Sequence, residues 1–226
     1  MLRDEERAAI LALGTVRQHP RGTTLIHEGS NDTDTHLILR GCVKVLGDTG
    51  NGHTTILAIR AAGDLVGELA ALDGQPRSAS VIAMIDTVTR VIDAATLESF
   101  LAAQTGVSRV LQRSITTKLR HATRLRVDLG GASVLVRLAR VLYQLCLGYG
   151  RAHTDGLLVD VPLSQSDFAA LIAASEPSVH RALADLRQAG VVQTRYRQIV
   201  ICNVDKLKLL AIDQTPARPR YPDGAR

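Results

Sequence analysis

Between Gly63 and Val81 the chain reads GDLVGELAALDGQPRSASV, and its residue types suit one task, holding a phosphorylated sugar. Gly67 opens the run Gly67-Glu68-Leu69-Ala70 and lets a ligand approach the backbone closely. Backbone N–H groups at the start of a helical turn point at an anion and favour negative charge there. In the run Pro76-Arg77-Ser78-Ala79, Arg77 offers a planar fork of donors that matches phosphate oxygens, and Ser78 offers a hydroxyl. Glu68 repels a phosphate but can accept from a ribose hydroxyl, as the acidic residue of dinucleotide folds does. Plainer roles stay open for each piece. A glycine before an acid is common in turns, Arg77 also suits a solvated loop, and Ser78 also suits the start of a strand.

A second constellation is LSQSDFAALIAASEPSVHRALADLRQAGVV, from Leu163 to Val192. Ser164 suits an N-cap, with Asp167 at the capping-box position. Phe168, Leu171 and Ile172 give a first helix its apolar face, and Ala173-Ala174-Ser175 permits a tight turn. Ser175 or Glu176 opens a second helix, and Pro177 is tolerated in its first turn. Val179, Leu183 and Leu186 face inward, while Ser178, His180, Arg181, Asp185 and Arg187 face outward. Gly190 ends that helix. Val191–Thr194 and Gln198–Cys202 then predict a hairpin around Arg195-Tyr196-Arg197. Such a helix-turn-helix with a wing would place its second helix in the major groove of double-stranded DNA. Arg195 and Arg197 suit contacts to the DNA backbone. An ordinary helical hairpin with solvated arginines is the plainer alternative.

The elements that must position these groups are legible in outline. Leu2 to Leu13 predicts an amphipathic helix, and His19-Pro20-Arg21-Gly22 a turn. Short β-branched runs follow at Thr23–His27, His36–Leu39, Val43–Leu46, Thr54–Ile59, Ala79–Ile85 and Thr87–Ile92, separated by glycine-bearing turns. That spacing predicts a β-sandwich or barrel. Ala94–Gln104 predicts a short helix and Val107 to about Leu129 a long one. Along it Leu111, Ile115, Lys118/Leu119, Ala122, Leu125/Arg126 and Leu129 form a heptad-like seam, suited to pairing with a second copy. Packing on its own sandwich alone is the other role open to that helix. Gly130-Gly131 breaks it, Ser133–Leu147 predicts another helix, Gly148–Gly156 a loop and Leu157–Val161 a strand.

The bulk properties narrow the classes. The chain has 226 residues, enough for two small domains, and a net charge of +5 that mildly suits an anionic partner. With aromatic residues at 3% and no Trp, recognition of single strands by base stacking is disfavoured. Cys42, Cys146 and Cys202 are far apart and form no metal spacing, so free thiols in a reducing cytoplasm are expected. The start MLRDEERAAI has no apolar signal core, and no stretch reaches membrane-spanning length. His27, His36 and His53 make no His-x-His pair, and no nucleophile–base pairing is evident, which speaks against an enzyme and a metal site. The N-terminal arm has no cysteine for an iron–sulfur cluster.

The Gly63–Val81 stretch resembles the phosphate-binding cassette of cyclic-nucleotide-binding domains, and HEGSNDTDTHLILRGCVKV looks like a hairpin of the same roll. The winged segment is similar to the C-terminal domain of the CRP/FNR transcription regulators, and the resemblance covers nearly the whole chain. It implies an α+β fold: an N-terminal cyclic-nucleotide-binding-type β-roll (jelly roll), a long dimerisation helix and a C-terminal winged helix-turn-helix. The expected parts are 1–105, 106–130 and 131–210, with a disordered tail at 211–226. The resemblance implies a cytoplasmic homodimer bound to a palindromic operator, with cAMP or cGMP as effector held by Gly67, Glu68, Leu69, Ala70, Arg77, Ser78 and Ala79. Ala122 and Thr123 fall where the family often has two hydroxyl residues on the base, and Ala122 departs from that. Ser164, Ser175, Glu176, Ser178, His180, Arg181, Arg187, Arg195 and Arg197 are the expected DNA contacts. Glu176 and Pro177 stand where better-known members carry a basic and an acidic base reader, so a different operator is expected. An activator also touches RNA polymerase, and no stretch marks that surface. Two alternatives stand beside this reading: a ligand-independent regulator with a vestigial pocket, and a jelly-roll enzyme that binds a small molecule.

Overall fold

A computed structural model describes residues 3–48, 54–195 and 198–212. In the N-terminal half, β-branched runs punctuated by turn residues form antiparallel strands. They are β1 (Thr15–His19), β2 (Thr24–Ile26), β3 (Thr35–Arg40), β4 (Cys42–Asp48), β5 (Thr54–Ala61), β6 (Leu65–Val66), β7 (Ser80–Ala83) and β8 (Thr87–Ile92). One sheet has the order β1-β8-β3-β6 and the other β2-β7-β4-β5. Ile26, Ile38, Val43, Val66 and Val81 form a core within this roll. The helix α1 (Asp4–Leu11) contributes Ile10 to a second cluster with Leu37, Leu65 and Val107. A helix of six residues, α2 (Glu68–Asp73), joins β6 to the loop before β7.

After the roll come α3 (Ala94–Ala103) and the 25-residue α4 (Thr105–Leu129). Gly130 caps α4 and Ser133 caps α5 (Val134–Tyr149), so the expected break lies where the glycines are. The C-terminal half continues with β9 (Gly150–His153), β10 (Gly156–Val159), α6 (Gln165–Leu171), α7 (Glu176–Gln188), β11 (Val192–Arg195), β12 (Gln198–Ile201) and α8 (Val204–Ala211). Its sheet has the order β11-β12-β10-β9. Leu138, Leu142, Ile172, Val179, Leu186, Ile201 and Leu207 form its core, and Cys42, Ile56 and Ile59 of the roll belong to the same cluster.

Several expectations need correction. The residues before Pro20 are strand rather than turn up to His19, and Gly150–His153 is strand rather than loop. Both strands are largely exposed, so they carry no apolar alternation to read. β6 and α8 are too short for periodicity to reveal. Cys42 and Cys146 are buried free thiols and Cys202 is half-buried. Burial pushes the Cys42 thiol up to about 12, which makes it inert at neutral pH. Among the described residues, no helix is long and apolar enough to cross a membrane, and no group of His, Cys, Asp and Glu is placed to hold a metal. Arg197, His53 and the tail beyond residue 212 lie outside the described residues.

Candidate functional site

Gly67 has φ 83°, a left-handed conformation that suits glycine, and forms the N-cap of α2. A Cβ there would lie 2.7 Å from Arg77 Nη1 and 2.9 Å from the Asp34 carbonyl. The glycine is therefore needed to let Arg77 pass beneath the loop. Arg77 is only 3% exposed. Its Nε donates to Asp32 Oδ1 at 3.0 Å, Nη1 to the Gly67 carbonyl at 2.8 Å and Nη2 to the Asp34 carbonyl at 2.5 Å. Its backbone pairs with the preceding turn, where Gly29 N–H donates to the Arg77 carbonyl and Arg77 N–H donates to that of Ser30. Arg77 is thus neither a solvated loop charge nor a wholly free phosphate fork. It bolts the Glu28–Asp34 turn to the cassette, and one N–H on each terminal nitrogen remains for a ligand. The Ser30 hydroxyl and then Arg77 hold the Asp32 carboxyl below the usual carboxylate range. Ser78 beside it is exposed. Because α2 is so short, its dipole is weak, and attraction for an anion falls mainly on Arg77 and Ser78.

Glu68 is 4% exposed. Its Oε1 accepts from Lys118 Nζ at 2.7 Å, and the same ammonium donates to the Leu65 carbonyl at 2.6 Å. A ribose hydroxyl would share Glu68 with this lysine. Sequence reasoning placed Lys118 on the seam of the long helix. The missed signal is that a buried carboxylate needs a cation, and Lys118 lies one helical turn before Ala122.

All seven expected cassette residues, Gly67 to Ala70 and Arg77 to Ala79, line one cavity of about 1600 Å³. Lys118, Leu119, Ala122 and Leu125 of α4 close one side, and Tyr143, Tyr149 and Lys208 line the far end. That exceeds the roughly 300–1,000 Å³ of ordinary small-molecule sites. Its lining extends beyond the cassette along α4, α5 and α8. Ala122 lines the cavity as expected. Thr123 is exposed and is not among the residues lining it, since one helical step turns it away.

The second constellation folds as a helix-turn-helix. Val179, Ala182, Leu183 and Leu186 are buried beneath α7, and Glu176, His180, Arg181 and Arg187 are exposed. Ser175 is the N-cap of α7, and its hydroxyl meets that of half-buried Ser178 at 2.9 Å. Arg181 Nη2 lies 3.4 Å from Ser178 Oγ, and Arg187 Nη1 donates to Thr194 Oγ1 of β11 at 3.0 Å. Arg195 at the end of β11 is exposed, with Nη2 3.8 Å from Asp155 Oδ2. Ser164 differs from the others. Its hydroxyl accepts from Asp167 N–H at 3.1 Å and contacts Asp167 Oδ2 at 2.6 Å, so it is committed to capping α6. Gln165 and Ser166, beside it in the first turn, are exposed. Lys206 Nζ donates to the Ala189 carbonyl at 2.8 Å and closes the C-terminal end of α7.

Comparison with known proteins agrees with this geometry. Residues 16–104 match the cyclic nucleotide-binding domain family, and residues 136–210 match the Crp-like helix-turn-helix domain. The chain is 30% identical over 205 residues to the "CRP-like cAMP-activated global transcriptional regulator" of Mycobacterium tuberculosis, covering 89% of this chain and 92% of that protein. It is also 30% identical over 184 residues to the "Anaerobic regulatory protein" of Bacillus subtilis, covering 80% of this chain and 76% of that one. Among solved structures, FixK2 from Bradyrhizobium japonicum has the same fold, with a TM-score of 0.75 at 24% identity over 88% of this chain and 97% of that one. With a nucleotide-binding roll, a long connecting helix and a winged reading head in one chain, this protein belongs to the CRP/FNR family of transcription regulators.

Proposed function

We propose that the chain is a homodimeric regulator that binds a palindromic DNA site under the control of a cyclic nucleotide, cAMP or cGMP. The observation that carries this reading is the convergence of the cassette residues on one cavity that α4 closes. A cyclic phosphate docks on the remaining Arg77 N–H groups and the Ser78 hydroxyl. A ribose hydroxyl joins Glu68 beside Lys118, and the base lies along α4 near Ala122. The relative from M. tuberculosis is named as cAMP-activated, which supports this class of ligand. Dimerisation is supported by α4 itself. Leu119 and Leu129, both seam positions, are 65% and 48% exposed in the single chain, apolar side chains that a second α4 would cover. Pairing sets two recognition helices about one DNA turn apart, and the ligand shifts the population toward that spacing.

Isothermal titration with cAMP and cGMP tests the pocket. Micromolar or tighter binding is expected. Ser78→Ala weakens it about tenfold, the worth of one charge-assisted hydrogen bond, and leaves the melting temperature unchanged. Arg77→Ala abolishes binding and also lowers the melting temperature, because Arg77 anchors a turn. If neither nucleotide binds, control by a cyclic nucleotide is wrong and the ligand-independent regulator takes its place.

A further inference from the structure

The carboxylates that line the cavity are all taken. Glu68 pairs with Lys118 at 2.7 Å, and Asp128 with Arg124 at 3.1 Å and with Arg140. Asp64 accepts from the Tyr149 hydroxyl at 2.5 Å and from Ala61 N–H at 2.9 Å. Several cations of the lining are not taken. Arg60, Arg113, Arg137 and Lys208 have no acidic partner among the described residues. Arg137 and Lys208 belong to α5 and α8, and Arg113 lies more than two turns before Ala122 on α4. Arg60 stands on β5, just before the cassette. Burial first, and the Arg60 charge second, hold the His121 imidazole below its ordinary range. Arg60 is therefore near the part of α4 that carries His121 and Ala122, where the base lies. Its Nη1 donates to the adjoining Ile59 carbonyl at 2.8 Å, which orients the guanidinium and leaves Nε and Nη2 to donate elsewhere.

Donor and acceptor character decides which base these groups favour. The neutral His121 ring has one donor and one acceptor, and the Ser114 and Thr117 hydroxyls of the lining also do both, so they suit either purine. A guanidinium only donates, and its N–H groups lie side by side. Guanine presents two adjacent acceptors, N7 and O6, to such a fork, whereas adenine presents N7 beside an amino group whose hydrogens would point at the cation. Ala122 has no hydroxyl to receive that amino group, and each carboxylate of the lining already has a donor.

Resting on the cyclic-nucleotide reading above, we infer that Arg60 reads the O6/N7 edge of guanine and that the effector is cGMP rather than cAMP. Isothermal titration of the full chain with cGMP, cAMP and cIMP tests this, since cIMP keeps O6 and N7 but lacks the 2-amino group. cGMP and cIMP are expected to bind alike, each about tenfold or more tighter than cAMP, the discrimination of one bidentate pair. Glutamine matches the N6/N7 edge of adenine, so Arg60→Gln puts cAMP ahead of cGMP. Its melting temperature stays near that of the wild type, because the Arg60 side chain holds only the adjoining carbonyl. The comparison of three nucleotides on the wild type stands even if that variant fails to fold. cAMP bound as tightly as cGMP overturns the inference. So does cIMP bound as weakly as cAMP, which gives the preference to the 2-amino group, and so does a guanine preference that survives Arg60→Gln. If none of the three binds, nucleotide control itself fails and the base assignment falls with it.

Discussion

Buried polar side chains in the roll serve as fasteners, and the histidines show what that does to their chemistry. His36 on β3 is 5% exposed, and its Nδ1 lies 3.2 Å from Thr89 Oγ1. His19 on β1 contacts the same hydroxyl at 2.9 Å and stacks edge-on against His36. Burial first, then His19, Arg77 and Arg17, push the His36 pKa down to about 4, while Asp32 opposes them weakly. The imidazole is therefore neutral in the fold, while in the unfolded chain it takes up a proton below its ordinary pKa of about 6.5. Its folded pKa is depressed, so the unfolded state binds more protons between these two values. Stability from this group is full above about pH 6.5 and falls as the pH drops toward 4, by roughly 3 kcal/mol in all. Urea denaturation at pH 7 and at pH 4.5 checks this, with His36→Asn expected to flatten the difference. An equal acid loss in the variant would assign the effect to other groups.

At the scale of elements, the turn between α6 and α7 holds the one non-glycine residue with positive φ among those described, Ala173 at φ 47°. A left-handed alanine is strained, and glycine relieves the strain at some cost in unfolded-chain entropy. Ala173→Gly is expected to stabilise the protein by about 0.5–1 kcal/mol, read as a higher denaturation midpoint. A lower midpoint would mean that the alanine methyl packs usefully in the turn. The same elements show where a sequence is readable. The cassette was legible because its donors lie within one short contiguous run, and the reading helices because capping and apolar spacing are local signals. The partners of Arg77 were not, since Asp32 and Asp34 lie more than forty residues upstream and only tertiary folding brings them close. Asp128 was also missed. An acid in the last turn of a helix opposes the dipole, and beside its local partner Arg124 it is paired by Arg140, which comes from the next helix.

For the whole molecule, α4 is the element that joins sensing to pairing on the proposed reading. Its first turns pack on the roll through Val107 and Leu111, its middle closes the cavity with Lys118 and Ala122, and its apolar stripe stays uncovered. Leu119→Glu is expected to give half the wild-type mass in sedimentation equilibrium and a marked loss of DNA affinity, because one recognition helix then reads one half-site. A wild type that is already monomeric would refute the pairing.

The division of α7 into a buried and an exposed side has a consequence for how such a protein changes over time. Val179, Ala182, Leu183 and Leu186 hold the helix in place, while Glu176, His180, Arg181 and Arg187 contribute little to the core. On the proposed reading, substitutions on that outer side rewrite which DNA site the protein addresses and leave intact the fold that would sense the ligand. The address is the replaceable part of this molecule, and lineages sharing one sensor can diverge in what they control.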